Sequence, residues 1–201
     1  MIHIVVFASG TGSNAINLIS HFRQHPAIRV KAVFCNRPDA PVIQKARAEG
    51  VPVEVFDRQA FNAPAFVDTL KQHDAHWLVL AGFLWLVPPA LIDAFPQRII
   101  NIHPALLPAY GGKGMFGHHV HQAVLAARDP KSGITIHLVD HRYDHGDTLF
   151  QVTCPVLPDD TADTLASRIH ALEHRWFPEV VETCITRGVL HLKTQHAAQT
   201  L

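Results

Sequence analysis

The 201-residue chain is poor in charge, in cysteine and in long apolar runs, and each shortage removes a class of function. Lys plus Arg number 17 and Asp plus Glu number 17, so the formal net charge is zero and there is no basic footprint for nucleic acid. An anionic ligand therefore needs a local site. The three cysteines, Cys35, Cys154 and Cys184, are far apart with no Cys-x-x-Cys, which argues against a disulfide framework and a zinc knuckle. No apolar run reaches the length of a membrane span, and the longest, near Leu78–Leu86, fits a buried strand and its exit. The N-terminal MIHIVVFASGTGSN has no basic leader and runs straight into glycines, so it reads as a strand, and the sparse cysteines fit a reducing cytoplasm.

What is present is alternation. Ile2–Ala8 is a β-branched and apolar run interrupted only by His3, and Ala15–Phe22 places Ile16, Ile19 and Phe22 at helical spacing. The pattern predicts strands over 30–35, 53–56, 77–81 and 99–102, and helices over 42–49 and 63–72. Such alternation implies parallel strands joined by crossover helices, hence a doubly wound, mostly parallel open α/β sheet. Beyond a Pro- and Gly-rich stretch, PALLPAYGGKGMFG at 104–117, the spacing predicts a helix over 120–127, strands over 134–139 and 149–154, and a long helix from Thr161 to about Thr186. The expected organisation is one domain over 1–188 and a tail over 189–201 that adds a strand and then frays.

Three segments carry possible chemistry. Ser9-Gly10-Thr11-Gly12-Ser13-Asn14 joins the first strand to the first helix, where backbone amides and the helix N-terminus favour an anion. The third glycine of the dinucleotide fingerprint and the Walker lysine are both missing, so a monophosphate fits better than either cofactor; a plain packing turn is the alternative. Asn101 and His103 end the strand over 99–102, at the sheet edge where open α/β folds build sites, and share a side of an extended segment. Asn offers a neutral donor to an oxyanion and His a donor or proton relay, though a His before Pro is also a common structural hydrogen-bonder. Asp144 lies in Asp140–Asp147, where three acids and two histidines fall in eight residues and turn formation accounts for some of them. The 16 histidines include His118, His119 and His121 and a group of His137, His141 and His145, but no His-Glu-x-x-His accompanies them and no metal is expected.

Taken in order, Ser9–Asn14, Leu80-Ala81-Gly82-Phe83, Asn101-Ile102-His103-Pro104 with Leu106-Leu107-Pro108, Gly133–His137, Asp144-x-Gly146 with Phe150-Gln151, and Glu173-His174-x-x-Phe177-Pro178 resemble the glycinamide ribonucleotide formyltransferases, a folate-dependent formyltransferase family. The resemblance runs from Ile2 to Gly188. It implies formyl transfer from 10-formyltetrahydrofolate to the amine of glycinamide ribonucleotide in purine biosynthesis, with Asn101, His103 and Asp144 as catalytic residues. It further implies that Gly12, Ser13 and Asn14 hold the phosphate, that Glu173 holds the ribose hydroxyls, and that Leu84, Trp85, Val87, Asp140 and His141 surround the folate. The partners implied are small molecules, without nucleic acid or membrane, for a monomer or homodimer.

The chain departs from the family pattern at Ala105, where many members have Ser, at Trp85, where several carry Arg, and at Pro64, near a position often Arg. A formyltetrahydrofolate hydrolase is the nearest rival; that class resembles this chain preceded by a regulatory module. Methionyl-tRNA formyltransferases resemble it followed by an RNA-binding domain. Sugar-nucleotide formyltransferases and a non-catalytic nucleotide- or folate-binding module complete the alternatives.

Overall fold

A computed structural model describes residues 1–188; the expected tail strand after Gly188 lies outside the described residues. One seven-stranded sheet has the order β3-β2-β1-β4-β5-β6-β7. The strands are β1 (Ile2–Ala8), β2 (Ile28–Cys35), β3 (Val53–Val55), β4 (Trp77–Leu80), β5 (Ile99–His103), β6 (Lys131–Leu138) and β7 (Thr148–Pro155). The helices are α1 (Ser13–Phe22), α2 (Val42–Ala48), α3 (Arg58–Asn62), α4 (Ala65–Gln72), α5 (Pro89–Ala94), α6 (His118–Ala127) and α7 (Ala162–Arg187). The fold is thus the expected α/β open sheet. By contacts the chain divides into two compact units, Met1–Asn101 and the remainder from Ile102.

In the first unit, β1 pairs in parallel with β2 and with β4, so its side chains are covered on both faces. Ile4, Val5, Val6 and Ala8 are 0% exposed, which is why the segment is apolar without alternation. Burying each of the larger side chains stabilises the sheet by about 1.5–3 kcal/mol. α1 buries Ala15, Leu18, Ile19 and Phe22. Two helices escape the sequence pattern, α3 and α5. Both are too short for a 3.6-residue period to register, and local chemistry starts them: Asp57 accepts the Ala60 amide at 2.8 Å, and α5 opens on Pro89.

In the second unit, β6 and β7 are antiparallel, with Ile134 opposite Val152 and Lys131 opposite Pro155. β6 begins three residues earlier than its apolar run suggests, because pairing with β7 recruits Lys131, Ser132 and Gly133. Gly133 is required there: a Cβ would stand 2.1 Å from the Val152 carbonyl oxygen. α7 begins as expected at Thr161, whose hydroxyl accepts the Thr164 amide at 3.2 Å while the Thr161 amide donates to the Thr164 hydroxyl at 2.9 Å.

Candidate active site

His103 closes β5 and is 3% exposed. Its Nε2 lies 2.8 Å from the Tyr110 carbonyl oxygen. A carbonyl only accepts, so Nε2 carries the proton and Nδ1 is left facing the Asp144 carboxylate, whose Oδ2 is 3.6 Å away. His137 on β6 repeats the arrangement. Its Nδ1 donates to the Leu138 carbonyl at 2.8 Å, and its Nε2 faces Asp144 Oδ1 at 3.7 Å.

Asp144 therefore stands between two imidazoles, each with one nitrogen committed to a carbonyl and the other turned toward the carboxylate. At these distances neither contact is a full hydrogen bond. A proton arriving on either ring lands on the nitrogen that faces the acid, where the resulting cation is paired at once. Burial pushes the His103 pKa down and prevails over the attraction of Asp144, so this ring is neutral until a proton is delivered. Burial by itself would push Asp144 up, but His137, His103 and the Gly112 amide outweigh it and hold the carboxyl below its ordinary range. A neutral base beside an ionised acid results.

The loop over 140–147 is shaped to present that acid. Asp144 takes a left-handed conformation, φ 51°, which Asp tolerates better than most residues. Gly146 passes so close beneath Leu138 that a Cβ would meet its carbonyl oxygen at 1.9 Å, which accounts for the Asp-x-Gly spacing. Opposite, Thr135 fastens the chain beyond His103: its hydroxyl donates to the Ala105 carbonyl at 2.6 Å and accepts the Leu107 amide at 2.9 Å. Gln151 donates to both the Thr135 hydroxyl and the Leu107 carbonyl.

Of the other residues singled out from the sequence, Asn101 lies on β5, half-buried, two positions before His103. Glu173 on α7 is 5% exposed, and its Oε2 lies 2.8 Å from His170 Nδ1, which raises the His170 pKa. In the first unit, Gly12 is the left-handed N-cap of α1, φ 76°, and Ser13 and Asn14 open the helix. Gly12 also touches α2, since a Cβ there would fall 2.3 Å from Val42 Cγ2. Gly12 thus has a packing role of its own, whereas at Gly10 a Cβ would meet nothing within 4 Å.

Leu84 and Leu86 are exposed, Val87 is part of the core, and half-buried Trp85 joins Phe56, Phe61 and Phe83 in an aromatic cluster. The Arg58 guanidinium lies 4.4 Å from the centre of the Trp85 ring, so α3 supplies a cation beside this segment. Asp140 is 2.7 Å from His145 Nδ1 and accepts the Arg142 amide, and His141 is exposed. Thr135 and His137 were visible in the sequence only as members of a motif. Their period-two spacing on β6, the same as that of Asn101 and His103 on β5, was the available signal.

The family described as formyl transferase matches residues 2–181. The chain is 41% identical over 198 residues to the chloroplastic phosphoribosylglycinamide formyltransferase of Vigna unguiculata, covering 94% of this chain and 63% of that protein. It is 35% identical over 183 residues to the phosphoribosylglycinamide formyltransferase of Bacillus subtilis (strain 168), covering 88% of this chain and 91% of the relative. The crystal structure of phosphoribosylglycinamide formyltransferase from Streptococcus pneumoniae TIGR4 superposes with a TM-score of 0.82 at 37% identity, over 92% of this chain and all of that one. The chain thus spans 63% of the length of the plant relatives and nearly the whole of the bacterial ones.

Proposed function

The chain belongs to the formyl transferase family, and from that premise we propose that it transfers the formyl group of 10-formyltetrahydrofolate to the amine of glycinamide ribonucleotide, residues 1–188 forming the formyltransferase domain. The observation that carries the reading is the placement of Asp144 against both His103 and His137, 3.6 and 3.7 Å away.

The acceptor amine attacks the formyl carbon, forming a C–N bond and a tetrahedral oxyanion. Asn101 and His103 donate to that oxygen, each donor typically worth a few kcal/mol. For His103 this donation replaces the Nε2–H bond to the Tyr110 carbonyl. The bond between the formyl carbon and the folate nitrogen then breaks, and the proton lost by the amine passes through the cluster centred on Asp144, with a water, to the leaving nitrogen. Because both rings turn a nitrogen toward Asp144, the cluster stores that proton between the two events.

Gly12, Ser13 and Asn14 hold the phosphate, and Glu173 the ribose hydroxyls. The folate contacts we propose are the ones that the family resemblance implies, Leu84, Trp85, Val87, Asp140 and His141. The partners are these small molecules, with neither nucleic acid nor membrane, for a monomer or homodimer of the cytoplasm; among the described residues no helix is long and apolar enough to cross a membrane.

The test is release of tetrahydrofolate from its 10-formyl form by the purified protein. Release is slow alone, rises steeply with glycinamide ribonucleotide, and does not rise with free glycinamide, which lacks the phosphate handle. Rapid release independent of the ribonucleotide would assign the chain to the hydrolases instead.

A further inference from the structure

Tyr110 stands at φ 56°, in the left-handed region that a bulky side chain seldom occupies. Such a conformation is strained and persists only where the surroundings hold it. Glycine would take the position freely, and two glycines follow directly, so a tyrosine here points to a use for its side chain. Its hydroxyl donates to Asp129 Oδ2 at 2.5 Å, a charge-assisted bond at the short end of its range. The carboxylate pushes the phenol pKa up, which keeps the hydroxyl a donor. The carbonyl of the same residue lies 2.8 Å from His103 Nε2. Tyr110 thus joins Asp129 at one end to the His103 ring at the other.

Asp129 is firmly mounted. It follows Arg128, the left-handed C-cap of α6, and its amide donates to the Val124 carbonyl at 3.4 Å. Val124 is 1% exposed. On the other side, the Pro130 carbonyl accepts the Val156 amide at 3.0 Å just before the chain enters β6. Beyond Tyr110, a Cβ at Gly111 would stand 2.7 Å from Leu107 Cδ2, and the Gly112 amide is bound to Asp144. Both ends of the link are therefore fixed by packed elements of the second unit.

We propose that Asp129 is a positioning residue for formyl transfer: by anchoring the Tyr110 hydroxyl it holds that main chain left-handed, aims the carbonyl at His103 Nε2, and keeps the proton on the nitrogen that donates to the oxyanion. The tautomer of an imidazole follows the partners of its two nitrogens. Without the anchor the Tyr110 backbone relaxes to negative φ, its carbonyl turns away, and the proton is shared with Nδ1, which faces the Asp144 carboxylate at 3.6 Å. A ring protonated at Nδ1 presents a lone pair to the oxyanion instead of a donor. The inference rests on the formyl-transfer reading above for the role of His103, whereas the tautomer is a property of the unliganded protein.

The experiment reads two quantities in wild type, Tyr110→Phe, Tyr110→Gly, Asp129→Leu and Asp129→Asn. The first is the nitrogen-15 spectrum of the imidazole rings without substrate, above neutral pH, which separates a protonated ring nitrogen from one bearing a lone pair; the His103 signals are identified by their loss in His103→Asn. The second is steady-state turnover. Wild type shows His103 protonated at Nε2. Tyr110→Phe and Asp129→Leu show the proton shared between both nitrogens, and kcat falls about tenfold while KM for each substrate stays within about twofold. Tyr110→Gly relieves the strain but lacks the anchor, and its kcat falls as far. Asp129→Asn, whose amide oxygen still accepts from the hydroxyl, recovers most of kcat and the Nε2–H tautomer.

A His103 ring that remains protonated at Nε2 alone in Tyr110→Phe and Asp129→Leu would overturn the inference whatever turnover does. So would wild-type kcat in Tyr110→Gly, or a deficit that Asp129→Asn fails to reverse. Absence of turnover with glycinamide ribonucleotide in wild type would overturn the acceptor reading, and the ring spectra, recorded without substrate, would still decide this inference.

Discussion

The Gly112 amide donates to Asp144 Oδ2 at 2.9 Å, tying the Gly-rich stretch after β5 to the acid that faces His103. Asp144 thereby holds a loop and a base at once, and the two roles separate under mutation. In Asp144→Asn the amide oxygen still accepts from Gly112, but the charge that pairs a protonated His103 or His137 is gone. The expected result is a loss of kcat of about a hundredfold or more with the fold intact by circular dichroism. Near-normal turnover would shift the role to Asp140, whose ion pair with His145 is largely exposed.

The glycine turn after β1 is best tested at Gly10. Gly12→Val drives a side chain into Val42 and disturbs α1 against α2, so a loss of binding there has two causes. At Gly10 a Cβ meets nothing within 4 Å, and Gly10→Ala crowds only what the turn binds. We expect KM for the ribonucleotide to rise about tenfold, with folate KM and thermal midpoint unchanged. An unaltered ribonucleotide KM would remove the turn from the phosphate site.

Thr135 is 0% exposed, and its hydroxyl is the junction of three hydrogen bonds: to the Ala105 carbonyl, from the Leu107 amide and from the Gln151 side chain. Thr135→Val keeps the shape and removes the junction, leaving buried backbone groups unpaired. Urea denaturation should show a loss of ~1–3 kcal/mol. Turnover should fall as well, because the segment fastened by Thr135 follows directly on His103.

His121 also writes a signature into stability against pH. Its folded pKa of about 4 lies below the ordinary 6.5. The unfolded chain therefore takes up a proton first, and the contribution of the neutral buried ring is fully present above pH 6.5 and is lost as pH falls toward 4. His121→Leu should flatten this part of the curve, measured as the urea midpoint at pH 7 against pH 4.5. Parallel curves for variant and wild type would show that the ring is not held neutral.

Much of the fold was legible in the chain because its strands are buried on both faces. Ile2–Ala8 could be bounded to the residue, since it is apolar from Ile4 onward where two parallel neighbours cover it and His3 stands only at its less buried start, and the Thr161 cap announced α7 by local chemistry alone. Asn101, His103 and Asp144 stood out because each occurs in a short motif at the end of a strand or within a polar turn.

What the sequence by itself determined is therefore the local order: which segments are strands, where glycine must be, and which residue types a formyl transfer would need. Tertiary structure decided everything that depends on two distant segments meeting. The antiparallel pairing of β6 with β7 extends β6 through Ser132 and Gly133, residues with little strand preference of their own. That His137 joins Asp144, that Tyr110 fixes the His103 tautomer, and that His121 lies buried on a helix packed against α7 are likewise consequences of packing. Hydrophobic periodicity encodes the face a residue presents, but a tautomer or a pKa is set by the groups the fold brings against that face, and these lie tens of residues away along the chain.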